Sequence, residues 1–203
     1  TGSSGLVGSE AVNFFCEKGF DVIGIDNNFR KLFFGRNAST HKIASKLIKK
    51  NNNFKYLNLD IRNFNILETV FKKYKKKIDI IIHCAAQPSH DYGIKYPFLD
   101  FSINATGTLN LLELTKKYCP DSVFIFMSTN KTYGDNPNKL KFIEKKYRWD
   151  LEKNNDLYNG IDEKFSIDNC THSLFGVSKT YADLIVQEYG KNIGLKTVCF
   201  RGG

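Results

Sequence analysis

The sequence predicts an α/β fold, a doubly wound parallel sheet with helices on both faces, and three observations carry that expectation. Short apolar runs alternate with stretches of helical periodicity along the whole chain, the pattern of a parallel sheet covered by helices. A glycine-rich turn containing Gly2, Gly5 and Gly8 opens the first helical stretch, and the strand-like run after it ends in an acid, Asp26. Residues 80–84 form a nearly unbroken apolar run, as expected of a parallel strand buried on both faces.

Taken in order, residues 5–18 read as a helix with Leu6, Val7, Val12, Phe15 and Cys16 on its buried side. A strand over 20–26 (FDVIGID) is followed by a loop to about residue 38. A lysine-rich helix over 40–50, a strand over 54–59 and a helix over 64–75 come next. After the strand at 80–84, a long helix spans 98–118 and stops before Pro120, which cannot continue it. A strand at 122–127, a helix at 174–191 and a strand at 196–200 complete the order. Residues 136–170 carry little periodicity and are expected to form a long loop with short helices near the functional site.

A chain of 203 residues is expected to be one domain, and the whole of 1–203 reads as a dinucleotide-binding unit. Thr1-Gly2 falls inside a strand-to-helix turn, and Arg201-Gly202-Gly203 stops just after a strand. The expectation is therefore an internal fragment, truncated at both ends and lacking most of its substrate domain. Its absent first strand would be central in the sheet. Residues 1–203 alone are then expected to be poorly stable and inactive.

The net charge of +9 does not mark a nucleic-acid binder. Among the thirty basic residues only Arg30, Arg36, Arg62, Arg148 and Arg201 are arginine, and the lysines cluster in short runs such as residues 72–77. Such runs suit solvated helix ends, where lysine favours the negative end of the helix dipole. No apolar run reaches the roughly 18–20 residues of a membrane span. No charged-then-apolar leader opens the chain. The five cysteines (Cys16, Cys84, Cys119, Cys170 and Cys199) have neither C-x-x-C nor zinc spacing, so no metal site is expected. They read as small apolar side chains in a reducing, cytoplasmic setting.

Thr1 to Gly8 has the spacing T-G-x-x-G-x-x-G. Glycines let the backbone turn tightly and let a pyrophosphate approach a helix N-terminus, where free N–H groups and the dipole favour anions. Asp26 ends the following strand, where a carboxylate accepts hydrogen bonds from ribose hydroxyls and repels a 2′-phosphate, so NAD is expected over NADP. Arg30 argues the other way, since it could pair with a phosphate, but Asp26 occupies the ribose position.

Further motifs accompany this loop: Asp60-Ile61, His83-Cys84-Ala85-Ala86, Asn104 in the long helix, and Ser128-Thr129-Asn130-Lys131-Thr132-Tyr133-Gly134-Asp135. With them the chain resembles the extended short-chain dehydrogenase/reductase family of nucleotide-sugar epimerases and dehydratases, a Rossmann-type fold. The resemblance implies that Gly2, Gly5, Leu6, Val7, Gly8, Asp26, Asn27, Asn28, Arg30, Asp60, Ile61, Ala85, Ala86, Gln87, Asn104 and Lys179 bind the cofactor. It implies that Ser89, His90, Ser128 and Asn130 meet a nucleotide-sugar substrate, that Thr129 polarises the sugar oxygen, and that the full-length protein is a homo-oligomer.

Where dehydratases of that family carry an Asp-Glu acid–base pair, this chain has Asn130-Lys131. An amide cannot do carboxylate proton transfer, so dehydration is not expected. Ser-Thr-Asn-Lys-x-Tyr-Gly-Asp resembles the CDP-paratose 2-epimerase (CDP-tyvelose epimerase) branch. That implies oxidation of a sugar carbinol to a ketone and return of the hydride to its other face. One residue departs from the pattern. Lys179 has Phe175 one helical turn before it, where the family's usual pattern has a tyrosine that exchanges the substrate proton. His90, Asp91 and His172 are candidate substitutes, while Tyr181 points away and Tyr133 reads as a packing residue. Three readings stay open: an epimerase with a substituted base, an NAD-binding relative that binds a sugar nucleotide or a partner, and another nucleotide-sugar oxidoreductase.

Overall fold

In the computed structural model, which describes residues 1–202, helix α1 (Leu6–Glu17) leads to β1 (Val22–Asp26), α2 (Arg30–Phe34), α3 (His41–Lys50) and β2 (Phe54–Asn58). Then come α4 (Phe64–Tyr74), β3 (Ile80–His83), α5 (His90–Lys95), α6 (Pro97–Phe101), α7 (Gly107–Tyr118) and β4 (Val123–Met127). A small antiparallel hairpin, β5 (Phe142–Glu144) and β6 (Trp149–Leu151), precedes α8 (Ser173–Lys191) and β7 (Lys196–Phe200).

The remaining strands are parallel and form two groups. In one, β1 pairs with β2, setting Val22 opposite Phe54 and Asp26 opposite Asn58. In the other, β3, β4 and β7 lie in that order, with Ile82, Ile125 and Val198 in one row. Thr1 stands between the groups: its nitrogen donates to the Ile82 carbonyl at 2.7 Å, and its own carbonyl accepts from the Cys84 N–H at 3.1 Å. The Gly2 N–H donates the other way, to the Ile25 carbonyl at 2.8 Å. A cleft of about 690 Å³ separates β1 from β3. This corrects one expectation. Burial alternates along β3, with Ile80 and Ile82 half-buried and Ile81 and His83 buried, because the strand borders that cleft.

Strand parity puts helices on both faces. Along β2, Phe54 and Tyr56 pack with Val12, Cys16 and Leu47 of α1 and α3. Leu57 points the opposite way, as strand alternation requires, into the larger cluster of Leu67, Phe71, Leu111, Phe124, Phe126 and Val186 from α4, α7, β4 and α8. Leu111 and Phe124 are wholly excluded from solvent. Each such side chain contributes roughly 1.5–3 kcal/mol of burial free energy.

Three segments differ from the sequence expectation. The supposed loop after β1 contains α2, started by an Asx turn in which Asn27 Oδ1 accepts from the Phe29 N–H at 3.1 Å. The single long helix is interrupted: between α6 and α7, residues Ser102–Thr106 widen into a π turn, and Asn104 lies within it. Residues 136–170 contain the β5–β6 hairpin, held by Lys145 and Arg148 on the Asp150 carboxylate at 2.8 and 2.7 Å. A further correction concerns α1, where Leu6 and Val7 are exposed while Val12 and Cys16 are buried. The first turn of that helix faces a cleft and not the core.

Candidate cofactor and active site

Gly2, Gly5, Leu6, Val7, Gly8, Asp26, Asn27, Arg30, Asp60, Ile61, Ala85 and Ala86 line one cleft of about 240 Å³, together with Pro88, Ile103 and Met127. Its floor is a backbone turn that only glycine permits. Gly2 has φ +66°, and a Cβ there would lie 2.7 Å from the Ala85 nitrogen. A Cβ on Gly8 would lie 2.0 Å from the Gly2 carbonyl oxygen. The first intrahelical acceptor is Gly5, whose carbonyl takes the Ser9 N–H at 2.9 Å. The N–H groups of the first turn precede any intrahelical acceptor, which makes this end of the cleft suited to an anion.

Asp26 closes the cradle from the strand side. Its Oδ2 accepts from the Ser4 N–H at 3.0 Å and its Oδ1 from the Asn28 N–H at 2.8 Å. Each carboxylate oxygen keeps a lone pair for a ribose hydroxyl. Asn28 is placed otherwise than as a lining group: at φ +57° its side chain accepts from the Thr40 N–H at 2.8 Å and fixes the turn into α3. Arg30 is exposed, its guanidinium lying over the Phe34 ring at 5.1 Å. Asp60 is gripped by Arg62 through contacts of 2.6–3.0 Å. Burial pushes the Asp60 carboxyl up, but those hydrogen bonds and the adjacent charge hold it below the usual carboxylate range.

His83 clamps the cradle to the π turn. Its Nε2 meets Thr108 Oγ at 2.9 Å, and the Thr108 hydroxyl donates to the Asn104 carbonyl at 2.6 Å. His83 Nε2 therefore carries the proton, and Nδ1 accepts from the Thr1 hydroxyl at 2.7 Å. Burial, reinforced by the Lys179 charge, holds this imidazole well below its ordinary value of 6.5. An unfolded chain takes up a proton below pH 6.5 that the folded one refuses, so the stability contributed by neutral His83 is lost as pH falls through that range. Between pH 6.5 and 5, unfolding free energy is expected to fall by up to about 1.4 kcal/mol per pH unit from this residue. Denaturant titrations should show a shallower pH slope for His83→Gln, although that variant starts less stable.

Behind the cleft stand Gln87, Asn104 and Lys179. Asn104 exchanges both amide bonds with the Gln87 main chain, at 2.8 and 3.2 Å, and donates to Ser178 Oγ at 3.0 Å. Buried Asp100 gathers this network, taking Gln87 Nε2 at 2.6 Å and the Ser178 hydroxyl. Ser89 caps α5, accepting from the Tyr92 N–H at 3.2 Å. Lys179 is 4% exposed; its ammonium donates to the Met127 carbonyl at 2.7 Å and lies 4.1 Å from the Phe126 ring centroid. Burial pulls it down to about 8, against the raising influence of Asp183.

At the end of β4, Thr129 Oγ accepts from the Lys131 N–H at 3.3 Å, and Asn130 is exposed beside it. The Ser128 hydroxyl is held by Asp183, which also forms a buried ion pair with Arg201 at 2.8 Å. Phe175 is buried, with the His90 ring tilted against it at 53° and 4.9 Å between centroids. His172 Nε2 donates to the Thr132 carbonyl at 2.9 Å, the Tyr133 hydroxyl donates to the Asp162 carbonyl at 3.1 Å, and the Tyr181 ring packs tilted against Phe101. Sequence reasoning missed Asp100 and Asp183, and it did not assign His83 its clamping role. The available signal was an acid inside an otherwise apolar helical face, and a histidine ending an apolar strand.

The comparisons agree with this geometry. Among solved structures, the fold matches Pal from Bacillus thuringiensis with a TM-score of 0.74 at 24% identity, covering 98% of this chain and 53% of that one. It matches the UDP-Glc/GlcNAc 4-epimerase of Campylobacter jejuni with a TM-score of 0.72 at 20% identity, covering 98% and 51%. In sequence, the chain is 37% identical to CDP-paratose 2-epimerase of Salmonella typhi over 201 residues, 99% of this chain and 55% of that protein. It is 31% identical to the dTDP-D-glucose 4,6-dehydratase of Dictyostelium discoideum, over 99% of this chain and 42% of that protein. The chain thus spans about half the length of the curated relatives it matches. The sequence profile of one family covers residues 1–203. A glycine cradle and a strand-end acid on one cleft, a buried helix lysine behind it, and that match along the whole chain place this protein in the NAD dependent epimerase/dehydratase family.

Proposed function

We propose that the full-length protein epimerises a nucleotide-activated sugar, in the manner of CDP-paratose 2-epimerase, with NAD held in the cleft described above. The observation that carries this reading is the joining of the Gly2–Gly8 cradle, Asp26 and the Met127 carbonyl that Lys179 holds along one cleft. Bound NAD would supply a hydride acceptor that returns the hydride, leaving no net redox change. The cradle N–H groups would hold the pyrophosphate, Asp26 the adenosine ribose and Lys179 the nicotinamide ribose. Thr129 donates to the sugar oxygen as it becomes a carbonyl. Asn130-Lys131, in place of a carboxylate pair, argues for epimerisation over dehydration.

Phe175 favours a second reading, an NAD-binding protein without turnover that holds a sugar nucleotide or a partner. Adding CDP- and UDP-sugars to the NAD⁺-loaded full-length protein separates the two. Transient NADH absorbance and an isomerised product support the epimerase, whereas NAD⁺ binding with no change in any sugar supports the binding module. Phe175→Tyr is expected to keep or raise turnover. A fall of more than about tenfold would show that the ring is needed as a packing wall.

The cleft between β1 and β3, spanned by Thr1 bonded to the β3 side and Gly2 bonded to the β1 side, is the proposed place of a further parallel strand from the longer protein. A second copy of the chain is the proposed cover for the apolar faces of α6 and α8, where Phe98, Phe101, Val177, Tyr181 and Leu184 are exposed. Sedimentation of the full-length protein should give a dimer, and Val177→Glu combined with Leu184→Glu should give monomers. A monomeric wild type would rule this out. Five unpaired cysteines suit the cytoplasmic location that belongs to the same reading.

A further inference from the structure

The missing phenol leaves the proton without a carrier, and the structure points to one. Phe175 sits where the family's usual pattern has its tyrosine, and its ring is covered by the half-buried imidazole of His90 at 4.9 Å between centroids. His90 Nδ1 is 3.1 Å from Ser173 Oγ. Ser173 opens α8, the helix of Phe175 and Lys179, with a left-handed φ of +64° that a non-glycine residue adopts only at a cost. In that conformation its Oγ both accepts from the Gly176 N–H at 3.2 Å and meets the imidazole. His90 follows Pro88, which lines the cofactor cleft, by two residues, and Phe175 precedes Lys179 by one turn.

The other candidate groups are engaged elsewhere. His172 is bonded to the Thr132 carbonyl and packed beside Cys170, and the Tyr133 hydroxyl is bonded to the Asp162 carbonyl. Tyr181 lies against Phe101, and Asp91 is exposed on α5.

Resting on the epimerase reading, we propose that His90 is the acid–base group of this site, oriented by Ser173 and packed against the Phe175 ring. The assignment requires the tautomer in which Nδ1–H donates to the Ser173 Oγ lone pair left free by the Gly176 N–H, so that Nε2 keeps its own lone pair. Nε2 takes the proton of the sugar hydroxyl while the carbinol hydride passes to the bound nicotinamide dinucleotide. The O–H electron pair becomes the second bond of the carbonyl. On return, hydride adds to the opposite face of that carbon, and the imidazolium gives its proton back to the oxygen. Both groups end unchanged. The Phe175 ring then has a purpose of its own, since its packing against the imidazole helps to fix where His90 stands.

The test uses the full-length protein with NAD⁺ and the sugar nucleotide it turns over. His90→Ala is expected to lower kcat by about 10²–10⁴-fold, with NAD⁺ Kd and sugar KM within about threefold of wild type. Added imidazole should restore part of the rate, which lost packing alone would not allow. His90→Gln keeps a side chain against Phe175 and should be equally slow while melting like wild type. The proposal is overturned by a kcat within tenfold of wild type, by a defect confined to KM, or by absence of rescue. A wild-type protein that binds NAD⁺ yet oxidises no sugar nucleotide overturns the epimerase reading, and this assignment with it.

Discussion

Gly8→Ala in the full-length protein is expected to abolish measurable NAD⁺ binding, raising Kd by more than about 100-fold. The added methyl would stand 2.0 Å from the Gly2 carbonyl oxygen, 2.8 Å from its carbon and 3.1 Å from the Ser3 Cα. All three are backbone atoms, so no rotamer change relieves the clash. Either α1 moves away from the turn or Gly2 gives up its position against Ala85. Both movements displace the first-turn N–H groups from the phosphate site, and an anion at a helix end depends on those groups within a single turn. Gly194→Ala is the matched control, because Gly194 has a positive φ of 84° but nothing within 4 Å. It should cost some stability through strain and leave NAD⁺ affinity unchanged by calorimetry. If Gly8→Ala bound NAD⁺ like wild type, the cradle would not be the pyrophosphate site.

The contrast between these two glycines explains how much of the molecule could be read from its sequence. The spacing of Gly2, Gly5 and Gly8 before a periodic stretch identified a tight turn, and Asp26 followed at the end of the next strand; both are local patterns. Strands β4 and β7 and helix α8 likewise emerged from short apolar runs and helical periodicity. What stayed hidden was tertiary. The π turn at Asn104 leaves the periodicity of the surrounding helix intact, because the amide is turned inward by Gln87 and by Ser178, which is seventy-four positions away. Asp100 and Asp183 are ordinary acids in sequence and become buried hubs only when the loop before α5, helix α8 and the segment after β7 meet around them. The strands of the β5–β6 hairpin are three residues each, too short for alternation to stand out, and they are held by charged contacts that no apolar pattern announces. His90 was one of several loop candidates until its ring was found against Phe175.

Lys179→Met should separate stability from function in opposite directions. The lysine is nearly inaccessible, and burial pulls its ammonium from 10.5 down to about 8. Below pH 8 the folded protein therefore holds a charge that its surroundings disfavour, at a cost of a few kcal/mol. Methionine fills a similar unbranched volume without that charge. It orphans the Met127 carbonyl, which offsets about 1–3 kcal/mol of the gain. The expected net result for the protein without cofactor is a stability unchanged or raised by about 1–2 kcal/mol at pH 7. Loss of a charge-assisted hydrogen bond to a ribose, worth about 1.5–3 kcal/mol, should meanwhile weaken NAD⁺ binding by roughly 10- to 100-fold. A second signature comes from pH. Between about 8 and 10.5 the unfolded chain carries a proton on this lysine that the folded chain has released, so the Lys179 contribution to stability rises with pH in that window. Taking the difference between wild type and Lys179→Met cancels the other groups that titrate there, and any advantage of the variant should shrink as pH rises from 8 to 10.5. A variant that is strongly destabilised yet binds NAD⁺ normally would make Lys179 a structural tie to Met127 and remove it from the cofactor site.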